Sequence, residues 1–458
     1  MQDKLSPASR AHHLFRHFTL AGLSKILKPE LVEDAAREFG SPTLRKRALT
    51  LPVMVWLGLH MALERAASIE KALASAWSEL RTLVTPGLPL SPATQSAYTQ
   101  ARRRLPVRML KWIWGRLVDS AMARWPDEAL FHGRILVGID GTTLEVPEWL
   151  RWLVGGHRGR NGEGPASIRF MAAYVERLRI PIAMAWSRLA RGEKTLCWRI
   201  LSRLPAAALI VFDAGFEGFA WFWHISRSGR DFITRGRYKS RARVVKTFGP
   251  GDELVALPVC AKTRREHPEL PGEILVRRVR SERKGFRACW LLTSLLDPAE
   301  WPRDTVMEAY SHRWPIETFY DELKNALGIE HWHSRTLRGI TQELYSAMML
   351  WVIVRSLMAE AAGRAGLHPT RLSFKRCLDH VSEFVGRVLN APATVLRREF
   401  DQLFEYLARQ VIRERPGRRY PRSPAERRKL QIERAERERR RFRIPRPSRT
   451  PVVRRKAG

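Results

Sequence analysis

Four polar residues, Tyr310, Arg313, Glu317 and Lys324, follow one another at steps of 3, 4 and 7. Those steps return to one face of a helix. A carboxylate flanked there by a guanidinium, an ammonium and a phenol suits a divalent metal ion together with a phosphate. The plainer reading of such a row is a solvated, salt-bridged helix face. Two upstream carboxylates bear on the choice. Asp140 ends the apolar run Ile135-Leu-Val-Gly-Ile, and Asp213 ends Ala207-Ala-Leu-Ile-Val-Phe. A single Asp at a strand end is commonly a turn or cap residue. Asp140, Asp213 and Glu317 together suggest a three-carboxylate cup. Hard Mg²⁺ or Mn²⁺ ions take oxygen ligands of this kind and also bind substrate phosphates. Two such ions support in-line phosphoryl transfer.

The elements that must place these residues can be read from periodicity. Residues 1–128 are expected to be helical, with a capped helix starting at Ser91-Pro92 and carrying Arg102 and Arg103 as candidate DNA contacts. The pattern changes near Arg134. A strand to Asp140, a turn at Gly141-Thr142 and a short spur to Pro147 are followed by strands over Ile168–Tyr174 and Ile180–Trp186. Helix, strand, helix, strand then lead through Asp213 to Arg235. This predicts an α/β core over 129–237, interrupted by a β-rich insertion over 238–297, and resumed over 298–370 with the Glu317 helix. Pro315 either starts that helix or kinks a longer one. Further helices are expected over 371–412, with Leu344–Ala362 as a core helix. The Gly155–Gly164 stretch lacks the GxxxxGK[ST] pattern, so it reads as a mobile loop over DNA and not as a P-loop.

Charge points to the partner. The 458 residues carry 81 Lys+Arg against 46 Asp+Glu, formally +35. The segment 413–458 holds 19 Lys/Arg and 5 Asp/Glu, or +14 of that +35, so +21 belongs to the rest of the chain. Such an excess predicts a polyanion, most simply double-stranded DNA. The tail is expected to be disordered until it meets one. The four cysteines are far apart and show no zinc-site spacing. The N-terminus has no apolar signal-peptide core. The apolar run Ala48–Leu63 contains Pro52 and His60 and reads as a buried helix, so no membrane partner is expected and the expected location is cytoplasmic, on the nucleoid. His312, His331 and His333 lack metal-spacing partners and read as surface or packing residues. Asp321 reads as an ion-pair partner of Lys324 or Arg313.

Taken together, these motifs resemble the DDE transposases of the bacterial insertion-sequence-four family. The family signature, Tyr-x2-Arg-x3-Glu-x6-Lys, is complete as Tyr310, Arg313, Glu317 and Lys324. Ile139-Asp140-Gly-Thr-Thr143 resembles its first Asp block and Phe212-Asp213-Ala-Gly-Phe216 its second. The resemblance spans roughly residues 10–400 and excludes the tail. It implies an RNase H-like core with Asp140, Asp213 and Glu317 as catalytic metal ligands. It also implies DNA contacts by Arg313, Lys324 and Tyr310, hydrolysis at element ends, attack of the 3′-hydroxyl on target DNA, and at least a homodimer at synapsis. Some relatives stack a flipped base on a Trp in the strand before the signature. Trp290 is the candidate here, although the family position aligns with Cys289, and a one-residue shift reverses the strand face. An RNase H-like nuclease without strand transfer, and a non-catalytic DNA-binding regulator, remain alternatives.

Overall fold

Two residues with positive φ, His132 (46°) and Gly133 (74°), fold Leu130–Phe131 (β1) back onto Arg134–Glu145 (β2). That is the tight hairpin turn whose twist matches paired strands. The computed structural model describes residues 27–40, 48–83, 89–125, 127–159, 162–216, 218–236, 242–282, 288–388, 393–413, 432, 433 and 436. Residues Met1–Val411 form one compact unit and Ile412–Gly458 a second. The basic tail lies almost wholly outside the described residues, as does the leader before Leu27.

β2 is one continuous strand, not a strand, turn and spur. Gly141 and Thr142 stay extended because Gly162–Val175 (β4) pairs with β2 without interruption from Val137 to Glu145. The stretch expected to be a loop is largely a hairpin, with Gly156–Gly159 (β3) pairing with the start of β4. Ile180–Arg188 (β5) lies antiparallel to β4 on the edge away from β2. On the opposite side of β2, Ala208–Phe212 (β6) and then Asp231–Arg235 (β7) run parallel to it.

The insertion does not stand apart from this sheet. Arg243–Gly249 (β8), Asp252–Pro258 (β9), Glu273–Ser281 (β10) and Cys289–Thr293 (β11) continue it through an antiparallel β11–β7 pairing. Among the described residues the sheet has eleven strands, in the order β3-β4-β2-β6-β7-β11-β10-β9-β8, with β1 on β2 and β5 on β4. The buried pair Arg277–Asp252 locks β10 to β9 through two guanidinium hydrogen bonds, and Arg277 also donates to the Trp301 carbonyl at 2.6 Å.

Among the described residues, five helices precede the sheet: Pro29–Phe39 (α1), Leu51–Leu63 (α2), Ile69–Leu83 (α3), Gln95–Arg104 (α4) and Val107–Arg124 (α5). α4 starts later than the Ser91-Pro92 signal suggests, because the Thr94 hydroxyl accepts the Ala97 amide at 3.2 Å and so caps the first turn. After β5 come Glu193–Leu201 (α6), Phe219–Arg227 (α7), Ala261–Glu266 (α8), Arg303–Ser311 (α9) and Trp314–Asp321 (α10). Leu337–Arg364 (α11), Phe374–Val388 (α12) and Ala393–Ala408 (α13) follow.

α11 is long and apolar enough to cross a membrane, yet 94% of its most apolar stretch is buried inside the protein. It packs against α2, α5 and α13 and is the axis that joins the N-terminal helices to the rest of the fold. One hydrophobic core includes the N-terminal helices, one face of the sheet and Ile316, Phe319 and Leu323. A smaller core on the other face joins Leu209, Val211, Ile233 and Leu291 to Val306 and Ala309 of α9. The chain therefore passes from one side of the sheet to the other between α9 and α10, at His312–Arg313.

Candidate active site

The parallel β2–β6 ladder ends with Gly138 opposite Val211. Two residues further along each strand are Asp140 and Asp213. Sheet register thus puts these carboxylates beside each other, although they are 73 positions apart in the sequence. The third carboxylate arrives at the corner between α9 and α10. Tyr310 lies in the last turn of α9, Arg313 caps α10, and Pro315 sits within the first two helical positions, where its missing amide hydrogen costs nothing. Glu317 is then in the first turn of α10, where a negative charge is favoured by the helix dipole.

Arg313 links the Asp140 strand to the Glu317 helix electrostatically. Its guanidinium is 2.7 Å from Glu317 Oε1 and 3.9 Å from Asp140 Oδ2. Asp140 Oδ1 accepts the Gly141 amide at 2.8 Å, and Asp213 Oδ1 accepts the Gly215 amide at 2.7 Å. Burial pushes the Asp140 carboxyl up to about 6. The Gly141 amide and Arg313 oppose that rise, while the charges of Asp213 and Glu317 add to it. Burial likewise raises the Tyr310 hydroxyl above its ordinary range. Arg313 and Arg235 act against that shift, and Cys289 and Asp213 act with it. Tyr310, Arg313, Arg235 and the three carboxylates therefore share one electrostatic neighbourhood.

The donor set fits a divalent cation. All three acids offer hard oxygens, and Asp140 carries the strain of like charges that such a cation would offset. In this arrangement the Arg313 guanidinium is the positive group bridging Asp140 and Glu317.

Two residues not singled out from the sequence belong to the site. Arg235 ends β7, next to the Phe212–Thr234 register pair, and so flanks Asp213. Tyr320 lies one turn beyond Glu317. Its hydroxyl donates to the Asp140 carbonyl and accepts the Ala172 amide at 3.1 Å. Asp140 and Ala172 are register partners, so the phenol is inserted into the β2–β4 ladder. It fixes the height of the Glu317 helix against the strand that carries Asp140. The tyrosine falls within the signature stretch, but nothing in its spacing distinguishes it from a core aromatic. Tyr320→Phe leaves a buried carbonyl and amide without that partner and is expected to cost about 1–3 kcal/mol of stability, with reduced activity. Denaturant unfolding of the variant checks this; an unchanged midpoint would remove the assigned role.

The remaining sequence candidates divide. Lys324 is not on a regular helix with Glu317. It lies in a π-helical turn, Glu322–Ala326, with its ammonium 3.6 Å from Glu330. Such wide turns are common at functional sites. Asp321 pairs with neither Lys324 nor Arg313; it accepts the Asn325 amide at 2.7 Å.

Arg102 is not a DNA contact. It is buried, donates to Glu343 at 2.6 Å and to the Gly339 carbonyl at 2.7 Å, and holds α4 against α11. Arg103, on the outer side of the same helix, is exposed. Trp290 is not positioned to stack a base at the acids either. Cys289 packs towards Tyr310, so its neighbour Trp290 points to the opposite face, where the Arg278 guanidinium lies 4.8 Å from its ring. His312 is half-buried with its ring 5.6 Å from Phe131. His333 hydrogen-bonds the Ala67 carbonyl at 2.8 Å and packs against Glu343.

The family described as the transposase DDE domain matches residues 131–353, and that described as the insertion element 4 transposase N-terminal domain matches residues 17–115. The chain belongs to the insertion-sequence-four family of DDE transposases. A curated relative is the transposase InsG for insertion sequence element IS4 of Escherichia coli (strain K12), 26% identical over 425 residues, covering 88% of this chain and 94% of the relative. Among solved structures, the piggyBac transposase synaptic complex with hairpin DNA aligns over 92% of this chain and 89% of its own, with 12% identity and a TM-score of 0.38. Membership of the family makes the chain a metal-dependent enzyme that binds and cuts DNA.

Proposed function

We propose that this transposase hydrolyses DNA at the ends of an insertion sequence and joins the freed 3′-hydroxyl to target DNA, with Asp140, Asp213 and Glu317 holding two Mg²⁺ or Mn²⁺ ions. The observation that carries this reading is the convergence of the three carboxylates from three distant parts of the chain, with Arg313 paired to Asp140 and Glu317. The fold is read as RNase H-like, supported by the strand order: antiparallel β2, β4 and β5, with β6 and β7 parallel to β2 on its other side. The bound ions would supply Lewis-acid stabilisation of the attacking and leaving oxygens in an in-line displacement.

The chain's own residues then do the holding. Asp140 and Asp213 are fixed by the sheet and by the Gly141 and Gly215 amides. Glu317 is the one exposed acid, with 42% of its side chain accessible, so it can adjust as DNA enters. Arg313, released from Glu317 and Asp140, takes a bridging phosphate, and planar guanidinium suits that geometry. Arg235 and Tyr310, which share the electrostatic surroundings of Asp213, would hold the flanking backbone together with Lys324. Arg103 and the basic tail supply further, sequence-independent attraction. Joining two element ends at one target requires two active sites, so the working assembly is at least a homodimer, acting in the cytoplasm on the nucleoid.

A joining assay separates this reading from a plain nuclease. A pre-cut element end bearing a 3′-hydroxyl, incubated with target DNA and Mg²⁺, is expected to yield covalently joined product. Cutting of uncut ends with no joined product from pre-cut ones would leave an RNase H-like nuclease in its place.

A further inference from the structure

A second group of potential ligands includes none of the three acids. His224 is on α7, the helix that follows the Asp213 strand, while His267 and Glu269 lie just after α8 in the insertion. His224 Nε2 is 3.2 Å from Glu269 Oε1, and His267 Nδ1 is 3.3 Å from the same oxygen. Among the described residues, these three are the group of histidine, cysteine and acidic side chains whose ligand atoms all lie within 4.8 Å of one another.

The distances suit ligands that share one metal ion. A charge-assisted N–H···O bond closes to about 2.7–2.9 Å. Two donors on one tetrahedral zinc, with bonds of about 2.0–2.1 Å, stand about 3.3 Å apart by simple trigonometry. Both nitrogen–oxygen separations here are close to the second value, and both are also within reach of a long hydrogen bond. Two imidazoles and one carboxylate are also a familiar open zinc set, with a fourth position left for water.

The surroundings hold the ligands in place. The His224 ring meets Trp198 edge-on at 5.0 Å, and Trp198 meets Trp221 at 5.1 Å. A cavity of about 470 Å³ opens beside His267, with Trp198, Cys260 and Lys194 in its walls. It leaves room for water to reach the fourth position. The side chains of His224, His267 and Glu269 are 36%, 36% and 46% exposed, so an ion from solution can reach them.

We infer that His224, His267 and Glu269 form a zinc-type divalent metal site that clips α7, behind the Asp213 strand, to the insertion. It shares no ligand with the Asp140, Asp213 and Glu317 site and differs from it in chemistry, although the cavity beside His267 reaches Ala214 and Gly215, next to Asp213. Imidazole selects transition metals, whereas an all-carboxylate cup selects Mg²⁺ or Mn²⁺.

The test is zinc titration of the full, metal-stripped chain by calorimetry in excess Mg²⁺, repeated with Glu317→Gln. One zinc per chain is expected in both proteins. His267→Asn and His224→Ala should each weaken zinc binding by at least about tenfold, while the melting temperature of the metal-free protein stays unchanged. Cobalt in place of zinc should give the intense visible bands of a tetrahedral ion in the parent and lose them in the variants. Zinc uptake that is equal in the parent and in the His224→Ala/His267→Asn double variant would overturn the assignment, as would a weak, octahedral-type cobalt spectrum in the parent. Neither measurement depends on DNA cutting, so failure here would leave the transposase reading untouched.

Discussion

Neutralising any one of the three acids, by Asp140→Asn, Asp213→Asn or Glu317→Gln, is expected to lower cutting at element ends by roughly a thousandfold or more. The magnitude follows from the metal's contribution: several kcal/mol of transition-state stabilisation, where about 4 kcal/mol corresponds to a thousandfold in rate. The substitutions keep shape and hydrogen-bonding capacity while removing the charge that a divalent ion needs. The losses should not multiply. Each variant disables the same site, so a double variant is expected to be little worse than a single one. Glu317→Gln also frees Arg313 from its closest partner, 2.7 Å away. DNA binding by that variant is therefore expected to be retained or strengthened while cutting is lost. Gel-shift and cleavage assays on one preparation separate the two effects. Cutting by all three variants at the parent rate would remove the assigned roles.

The largest stability effect is expected at Glu343 on α11. This buried carboxylate faces Arg65 at 2.9 Å and Arg102 at 2.6 Å, and both guanidiniums are themselves buried. Burial alone would raise the Glu343 carboxyl. The hydrogen bond from His333 and the charges of Arg102 and Arg65 outweigh it and hold the group at about 2. Glu343→Gln leaves two buried cations without a counter-charge, and the expected loss is about 3–5 kcal/mol.

The same network predicts a pH dependence. A carboxyl held below its ordinary range stabilises the fold while ionised. That contribution is present above about 4.5 and lost as pH falls towards about 2. Denaturation midpoints for the parent should therefore fall across that window, with a flatter fall in Glu343→Gln. Equal midpoints for the two proteins at neutral pH would show that the network carries no net stability.

Arg102 shows why sequence alone misdirects here. Its helix presents three consecutive arginines, the pattern of a DNA-facing surface. The acid that neutralises one of them is 241 positions away, on a helix whose apolar residues mark only its burial. The Tyr310–Lys324 signature is legible because its residues are local, and Pro315 marks the corner. The two aspartates are legible as ends of apolar runs. Their adjacency is not, because it depends on a parallel pairing of β2 with β6 that no local pattern encodes. Gly141-Thr142 suggests a turn by composition, yet the long partner strand β4 keeps it extended. The insertion reads as a separate unit because Pro, Gly and basic turns break it up. β11 nonetheless pairs with β7, so the sheet continues without a boundary. Tyr320 and the His224–His267–Glu269 group are invisible for the same reason as the Arg102 network: their partners come from remote segments.

The central claim is that Asp140, Asp213 and Glu317 form one divalent metal site. It is tested most directly by electron paramagnetic resonance of Mn²⁺ added to the transposase bound to its end DNA, compared with the three single neutralised variants. The parent is expected to take up Mn²⁺ tightly and each variant to lose that uptake while still binding DNA. Undiminished Mn²⁺ binding in all three variants would contradict the claim.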